Sequence, residues 1–331
     1  MSEPTPLARE LRRILATEGP ISVADYMALC LAHPVHGYYR TRDPLGAAGD
    51  FVTAPEVSQM FGELLCLWAA GVWQRMGAPH PVVLAELGPG RGTLMADALR
   101  AARIVPAFRA ALAVHLVEIS PALRRRQQET LAASGVAIAW HDDVATLPEG
   151  PLIVFANEFF DALPVHQAVK TADGWHERMV GLDESGRLVR ALDPAPLPRF
   201  EALLPAHLRP APVGAVFEWR SDAVVTELAR RLVRFGGAAL IVDYGHAPSA
   251  FGDTLQAVRG HAYADPLEAP GEADLTAHVD FAAIAAAAER AGAQALGPVT
   301  QGEFLRRLGI ELRAARLKAS ATPAQREAID A

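Results

Sequence analysis

Glu86-Leu87-Gly88-Pro89-Gly90-Arg91-Gly92-Thr93-Leu94 is the stretch that decides the fold. It continues from Val82-Val83-Leu84-Ala85-Glu86, an apolar run of the length of a buried strand, and it opens a helical pattern from Thr93 to Arg103. A glycine turn between a buried strand and a helix is the first unit of an alternating βα chain. Glycines at such a turn let the backbone bend sharply and let a ligand come close to it. The spacing is Gly-x-Gly-x-Gly, not the Gly-x-Gly-x-x-Gly of dinucleotide folds, and the lysine of a phosphate-binding loop is missing. Both features argue against a pyrophosphate cradle and against a dehydrogenase.

Outward from this loop the alternation continues. Val114–Glu118, Val136–Trp140 and Leu152–Ala156 read as further buried strands, and Ser120-Pro121 opens the helix after the first of them. Strands separated by helices imply right-handed crossovers and a parallel sheet, so the chain is α/β and doubly wound. Residues 165–192 interrupt the pattern with short segments around Asp173-Gly174 and Ser185-Gly186, the signature of antiparallel hairpins. A proline-rich connection, Asp193 to Pro212, follows. The βα pattern resumes with a helix from Asp222 to Phe235, a strand Ala239–Asp243, a helix Phe281–Ala291 and a short strand near Ala295.

The N-terminal segment reads as helical. Thr5-Pro6 and Ser22-x-x-Asp25 are start signals, Gly19 ends the first helix, and a long third helix is predicted from Thr53 through Trp68 and Trp73 to Gly77. The expected division is therefore an N-terminal helical, substrate-side cap (1–80), a cofactor-binding core (81–164 and 213–300), an antiparallel insert with its proline-rich connection (165–212) and a C-terminal helical tail (301–331).

The chemistry is expected at the carboxyl ends of the parallel strands, where open α/β sheets bind ligands. Glu86, Gly88, Pro89, Gly90, Gly92 and Leu94 line the first of these ends. Glu118 ends the second strand as an acid able to accept both hydroxyls of a ribose. Asp142 and Asp143 follow the third, where a carboxylate can meet an adenine amine. Asn157-Glu158-Phe159-Phe160-Asp161 follows the fourth. A glycine loop, a ribose acid and an adenine acid without a phosphate cradle describe a nucleoside ligand. S-adenosyl-L-methionine is the common cofactor of that kind. No metal is expected: HExxH and clustered Cys/His ligands are missing, and His33 and His36 are more simply structural.

Several stretches together resemble the MidA-like family of class I methyltransferases, over about residues 5 to 300. They are His33-Pro34-x-x-Gly37-Tyr38-Tyr39, Gly49-Asp50-Phe51-Val52-Thr53-Ala54-Pro55-Glu56, the glycine loop, Asn157–Val165, Val242-Asp243-Tyr244-Gly245 and Asp274–Phe281. The resemblance implies a Rossmann-like class I methyltransferase sheet and S-adenosyl-L-methionine as cofactor. It also implies methylation of a protein arginine on a respiratory complex I subunit. Family members end in a Gly-x-Leu-Phe-Lys-Val-like strand. Gln325–Ala331 does not match it, so a sheet without its seventh strand is expected.

For an arginine acceptor the planar guanidinium calls for carboxylates. Glu158 and Asp161 are the first candidates to grip it, Glu56 and Asp50 the second. Glu56 also fits a capping box with Thr53. Asn157 is a candidate to orient the cofactor or the substrate, and Phe159 to flank the cofactor with its ring. His278 is either a proton acceptor or a helix-start residue bonded to backbone. A small-molecule methyltransferase and a non-catalytic, cofactor-binding assembly factor remain open alternatives.

Composition narrows the field further. Of 331 residues, 51% are hydrophobic and 21% charged, which suits a folded chain with a substantial core. The formal net charge of −7 gives no electrostatic reason to bind nucleic acid, and Asn-Glu-Phe-Phe lacks the prolines of nucleic-acid amino-methyltransferases. No apolar run reaches the ~18 residues of a membrane span. Met1–Glu10 has no secretory pattern and carries Glu3 and Glu10, and Cys30 and Cys66 form no disulfide ladder, so a cytoplasmic chain is expected. A homodimer is a further expectation, with Trp68, Trp73 and the antiparallel insert as its surfaces.

Overall fold

Every residue of β1 (Val82–Leu87) is buried, as a strand covered on both faces requires. In the computed structural model, which describes residues 3–41, 53–319 and 321–330, this strand lies at the centre of a parallel sheet. Its neighbours are β2 (Leu112–Val117), β3 (Ile138–His141), β4 (Leu152–Asn157) and, further along the chain, β9 (Gly237–Val242). The order across the sheet is β9-β4-β1-β2-β3, parallel throughout. The chain winds outward from β1 to β3, then returns to the other side of β1 with β4 and β9. The direction of winding therefore reverses between β1 and β4, which is where such sheets open a crevice at their carboxyl ends.

The described residues fall into two compact units. The sheet unit lies within Val52–Glu158, Val225–Val242 and Ala288–Ala331. Its apolar core joins Phe61, Leu65 and Trp73 of the helix Gln59–Arg75 to Leu84, Leu116, Ile153 and Phe155 of the sheet. Burying each such side chain contributes about 1.5–3 kcal/mol. Gly62 is needed where that helix meets the helix Thr93–Ala101: a Cβ on it would lie 2.7 Å from the Asp97 Cβ and 2.8 Å from the Leu94 carbonyl oxygen. The helix Ile310–Ala319 is tied to the same helix by Arg313, whose Nε and Nη2 donate to Glu63 at 2.7 and 3.1 Å. Among the described residues no further strand extends this sheet beyond β9.

The other unit lies within Met1–Phe51, Phe159–Val224 and Asp243–Ala287. The two hairpin signals are realised as turns joining β5 (Val165–Lys170), β6 (Trp175–Leu182) and β7 (Leu188–Pro196). β8 (Val216–Arg220) completes the antiparallel sheet on β5, and Ile21-Ser22 pairs with β6. Trp175, Phe200, Phe217 and Trp219 pack on its face. Two smaller pairings were not anticipated: Gln256–Arg259 between Ala262–Ala264 and Asp274–Thr276, and Gly245-His246 beside Val279-Asp280. The helices Pro6–Glu18 and Val23–Ala32 start at Thr5 and Ser22, whose hydroxyls accept from the Ala8 and Asp25 N–H groups.

Three expectations are corrected. The helix from Thr53 is broken: Ala54–Val57 is one short helix, Ser58 is extended (φ −151°), and its hydroxyl caps a new helix at Gln59. Residues 293–300, including Ala295, have no regular structure. Trp73 belongs to the core, with its indole N–H donated to the Pro79 carbonyl at 2.9 Å, and Trp68 packs partly against Phe155. Trp73 therefore offers no surface to a second copy. No described helix is long and apolar enough to cross a membrane.

Candidate active site

β1 delivers the chain into the glycine loop. Gly88, Gly90 and Gly92 all take left-handed backbone, with φ of 58°, 53° and 82°, a conformation glycine adopts without steric cost. The loop is pinned to its surroundings: the Gly88 N–H donates to the Val117 carbonyl at 3.0 Å and the Gly92 N–H to that of Pro89 at 2.7 Å. Pro89 is buried beneath the turn. Leu94 is corrected as a cofactor contact. As the second residue of the helix Thr93–Ala101 its side chain is only 2% exposed, in the core that also holds Phe61 and Met95. Glu56 is a polar partner of the loop. Its Oε1 accepts from the Thr93 hydroxyl at 2.5 Å, and its Oε2 lies 3.9 Å from Arg91. The capping box is not formed, since the Thr53 side chain makes no cap bond.

Glu86, the penultimate residue of β1, is buried, and its Oε2 has no hydrogen-bond partner. Burial pushes its carboxyl up to about 8. The folded protein therefore keeps a proton that the unfolded chain loses near the ordinary carboxyl pKa. Stability contributed by this group is complete below that pKa and is lost as pH rises towards 8, at roughly 1.4 kcal/mol per pH unit. Chemical denaturation of the ligand-free protein between pH 5 and 8 is expected to show a shallower pH slope for Glu86→Gln than for wild type. Equal slopes would reject a buried, protonated Glu86.

Glu118, directly after β2, is also buried. Its Oε1 accepts from the Ser120 N–H at 2.7 Å and its Oε2 from the Gln127 amide at 3.1 Å. Burial raises its pKa, while these donors oppose the rise. Arg124 bridges to the next strand end, donating from Nε to the Glu118 carbonyl and from Nη2 to Asp142 Oδ1, both at 2.7 Å. Asp142 is 82% exposed. Asp143 is exposed as well, and its Oδ1 caps the Ala145 N–H at 2.7 Å.

At the end of β4 the buried Asn157 Oδ1 has no partner, and the amide Nδ2 lies 3.5 Å from Glu158 Oε1. Glu158 holds a left-handed backbone (φ 46°), fixed by its N–H donating to the Val242 carbonyl at 2.8 Å. A non-glycine residue in this region costs of order 1–3 kcal/mol, a cost that concentrates at functional sites. Glu56, Glu86, Glu118, Asp142, Asp143, Asn157 and Glu158 thus all belong to the sheet unit. Six of them lie at the carboxyl ends of adjacent strands, and Glu56 joins the first turn of the helix after β1.

Phe159, Asp161 and His278 belong to the other unit. Phe159 stands edge-on to Phe160, with ring centroids 5.3 Å apart. Asp161 is buried and bonded to the Tyr244 hydroxyl; burial raises its pKa, and the Tyr244 bond opposes the rise. Asp243 Oδ2 accepts from the Phe160 and Asp161 N–H groups at 3.0 and 3.3 Å and so fixes that turn. Arg220 spans the carbonyls of Leu163, Ala277 and His278 at 3.1, 2.6 and 2.7 Å. His278 is exposed and lies between two short strands, its N–H donated to the Thr254 hydroxyl at 2.9 Å. Asp50 lies outside the described residues.

Residues 64–299 match the family model described as "Putative S-adenosyl-L-methionine-dependent methyltransferase". The chain belongs to this family, the MidA-like methyltransferases. The chain is 40% identical over 354 residues to the "Protein arginine methyltransferase NDUFAF7 homolog, mitochondrial" of Drosophila melanogaster, covering 98% of this chain and 79% of the relative. It is 40% identical over 339 residues to the protein of that designation, "NDUFAF7, mitochondrial", from Danio rerio, covering 95% and 79%. A crystal structure of a Burkholderia thailandensis protein bound to S-adenosyl-homocysteine matches with a TM-score of 0.82 at 32% identity, covering 99% of this chain and 88% of that one. The protein is an S-adenosyl-L-methionine-dependent methyltransferase.

These relatives overturn the cytoplasmic expectation, since both are named mitochondrial. That expectation rested partly on cysteine usage, which does not tell one reducing compartment from another. The residues of the methyltransferase suit its cofactor. Two buried oxygens without partners, Glu86 Oε2 and Asn157 Oδ1, lie on the strands that flank the reversal, beside a loop whose glycines leave the backbone bare.

Arg124, Gln127 and Asp243 were not singled out as site residues from the sequence. Asp243 stood there only within the resembling stretch Val242–Gly245, and Gln127 left the signal of a polar side chain four residues from both Leu123 and Leu131 on an otherwise apolar helix face.

Proposed function

We propose that this methyltransferase methylates a guanidinium nitrogen of a protein arginine, carried by a respiratory complex I subunit. The observation that carries the proposal is Glu158, a carboxylate held in a left-handed backbone at the tip of β4 beside Asn157. The designation of the relatives as protein arginine methyltransferases supports it.

Bound S-adenosyl-L-methionine supplies an electrophilic methyl group on a sulfonium. Glu118 accepts the ribose hydroxyls, using lone pairs left free by Ser120 and Gln127. Asp142, oriented by Arg124, and the neighbouring Asp143 serve the adenine. Gly88, Gly90 and Gly92 admit the ligand against bare backbone, and Glu86 and Asn157 offer their unpartnered oxygens to its polar groups.

Glu158 accepts two N–H bonds from the guanidinium. That grip orients the group and draws its electron density onto the attacking nitrogen. The new N–C bond would form as the sulfur–methyl bond breaks and S-adenosylhomocysteine leaves, and the nitrogen would give up a proton, for which Glu158 is the acceptor. Glu56 steadies the loop through Thr93. Asp161, buried and bonded to Tyr244, and Asp243 shape the turn that follows Glu158.

Mass spectrometry of host proteins with and without this gene tests the proposal. A methyl mark lost from an arginine, and restored by the wild-type gene, is the expected result. Unchanged arginine methylation together with loss of a methylated small molecule would replace the protein substrate with a metabolite.

A further inference from the structure

We infer that Gln127 is a positioning residue that locks the glycine loop and Glu118 into a single cofactor-binding geometry. The inference rests on the reading that these two elements hold the cofactor. Gln127 lies in the helix Pro121–Leu131 and is 0% exposed. Its Nε2 donates to the Gly90 carbonyl at 2.7 Å and to Glu118 Oε2 at 3.1 Å. Its Oε1 accepts from the Trp140 indole N–H at 2.9 Å. One buried amide thus joins the loop after β1, the acid after β2 and the strand β3.

The chemistry of the three partners selects glutamine. The Trp140 indole is only a donor, and the Gly90 carbonyl is only an acceptor. The amide can satisfy both in just one orientation, and that orientation aims its second N–H at Glu118. Glutamate has the same shape but offers no donor, and it would set a second carboxylate against Glu118. Methionine keeps the volume and loses all three bonds. Either change leaves the Gly90 carbonyl and the Glu118 carboxylate, both set for the ligand, without the group that fixes their relative position. A buried polar group stripped of its partner keeps its desolvation cost without the bond that offset it.

Calorimetric titration with S-adenosylhomocysteine, well below the unfolding temperature, tests this. Gln127→Met is expected to weaken binding at least tenfold and Gln127→Glu further still. Trp140→Phe removes the N–H that orients the amide, together with part of the ring that packs on the core, and a severalfold loss is expected from it. The double variant Gln127→Met/Glu118→Gln is expected to bind within about threefold of Glu118→Gln alone, because residues in one network couple. Phe108→Leu serves as the control for a purely structural role. That fully buried side chain precedes the amino end of β2, and its replacement is expected to lower Tm and leave the affinity unchanged.

Wild-type affinity in Gln127→Glu and Trp140→Phe, with binding lost in Gly90→Val, overturns the inference and leaves the loop in place. Wild-type affinity in Gly90→Val and Glu118→Gln as well removes the cofactor site on which the inference rests.

Discussion

Glu158→Gln is expected to leave S-adenosylhomocysteine affinity within about twofold of wild type and to lower methyl transfer at least ~10²-fold. Glutamine keeps the shape and the left-handed backbone of the glutamate but cannot accept two charge-assisted N–H bonds from a guanidinium. Each such bond contributes about 1.5–3 kcal/mol, and every ~1.4 kcal/mol lost from the transition state is tenfold in rate. A companion variant separates catalysis from stability. At φ 46° glycine is unstrained, so Glu158→Gly is expected to hold or raise Tm while abolishing transfer, the trade-off of a residue kept for function. Calorimetry and single-turnover transfer of a labelled methyl group measure the two effects. Full activity in Glu158→Gln would remove this carboxylate from the mechanism.

Gly90→Val acts at the other end of the reaction, and no cofactor binding is expected at millimolar ligand. Gly90 has a φ of 53°, and a β-branched residue there is a genuine outlier. The valine must either distort the loop or project into space that the bare backbone leaves to the ligand. The Gly90 carbonyl is also held by Gln127, so a distortion reaches Glu118 as well. Unchanged affinity for S-adenosylhomocysteine would refute the assignment of the loop.

The parts of the fold legible in the sequence are those dictated by neighbouring residues. Val82–Leu87 is apolar and short, glycines follow it, and a helix pattern follows them, so the strand, turn and helix appear in that order. Thr5 and Ser22 cap their helices because a hydroxyl next to a free N–H needs no distant partner. Asp173-Gly174 and Ser185-Gly186 make hairpins on the same local terms.

What escaped depends on tertiary partners. Ser58 stands between Val57 and Gln59 and reads as helix interior, yet its N–H closes one helix on the Ala54 carbonyl and its hydroxyl caps the next at Met60. Glu56 has capping-box spacing but bonds to Thr93, 37 residues away. Leu94 stands within the loop motif, yet helix geometry turns it into the core. The short strands around Gln256–Arg259 carry too few residues for a periodicity to emerge. The carboxylates at the strand ends were legible as types and positions. The bonds that orient them, from Ser120, Arg124 and Gln127, become apparent only once the sheet is assembled.

The central claim is that carboxylates at the tips of these strands direct a methyl group from S-adenosyl-L-methionine to a protein arginine. Incubating the purified protein and its host's protein extract with methyl-labelled S-adenosyl-L-methionine, followed by acid hydrolysis and amino-acid analysis, tests it most directly. Label recovered as methylarginine with wild-type protein, and lost with Glu158→Gln, is the predicted result. Label found only in small molecules, or on an amino acid other than arginine, would contradict the account.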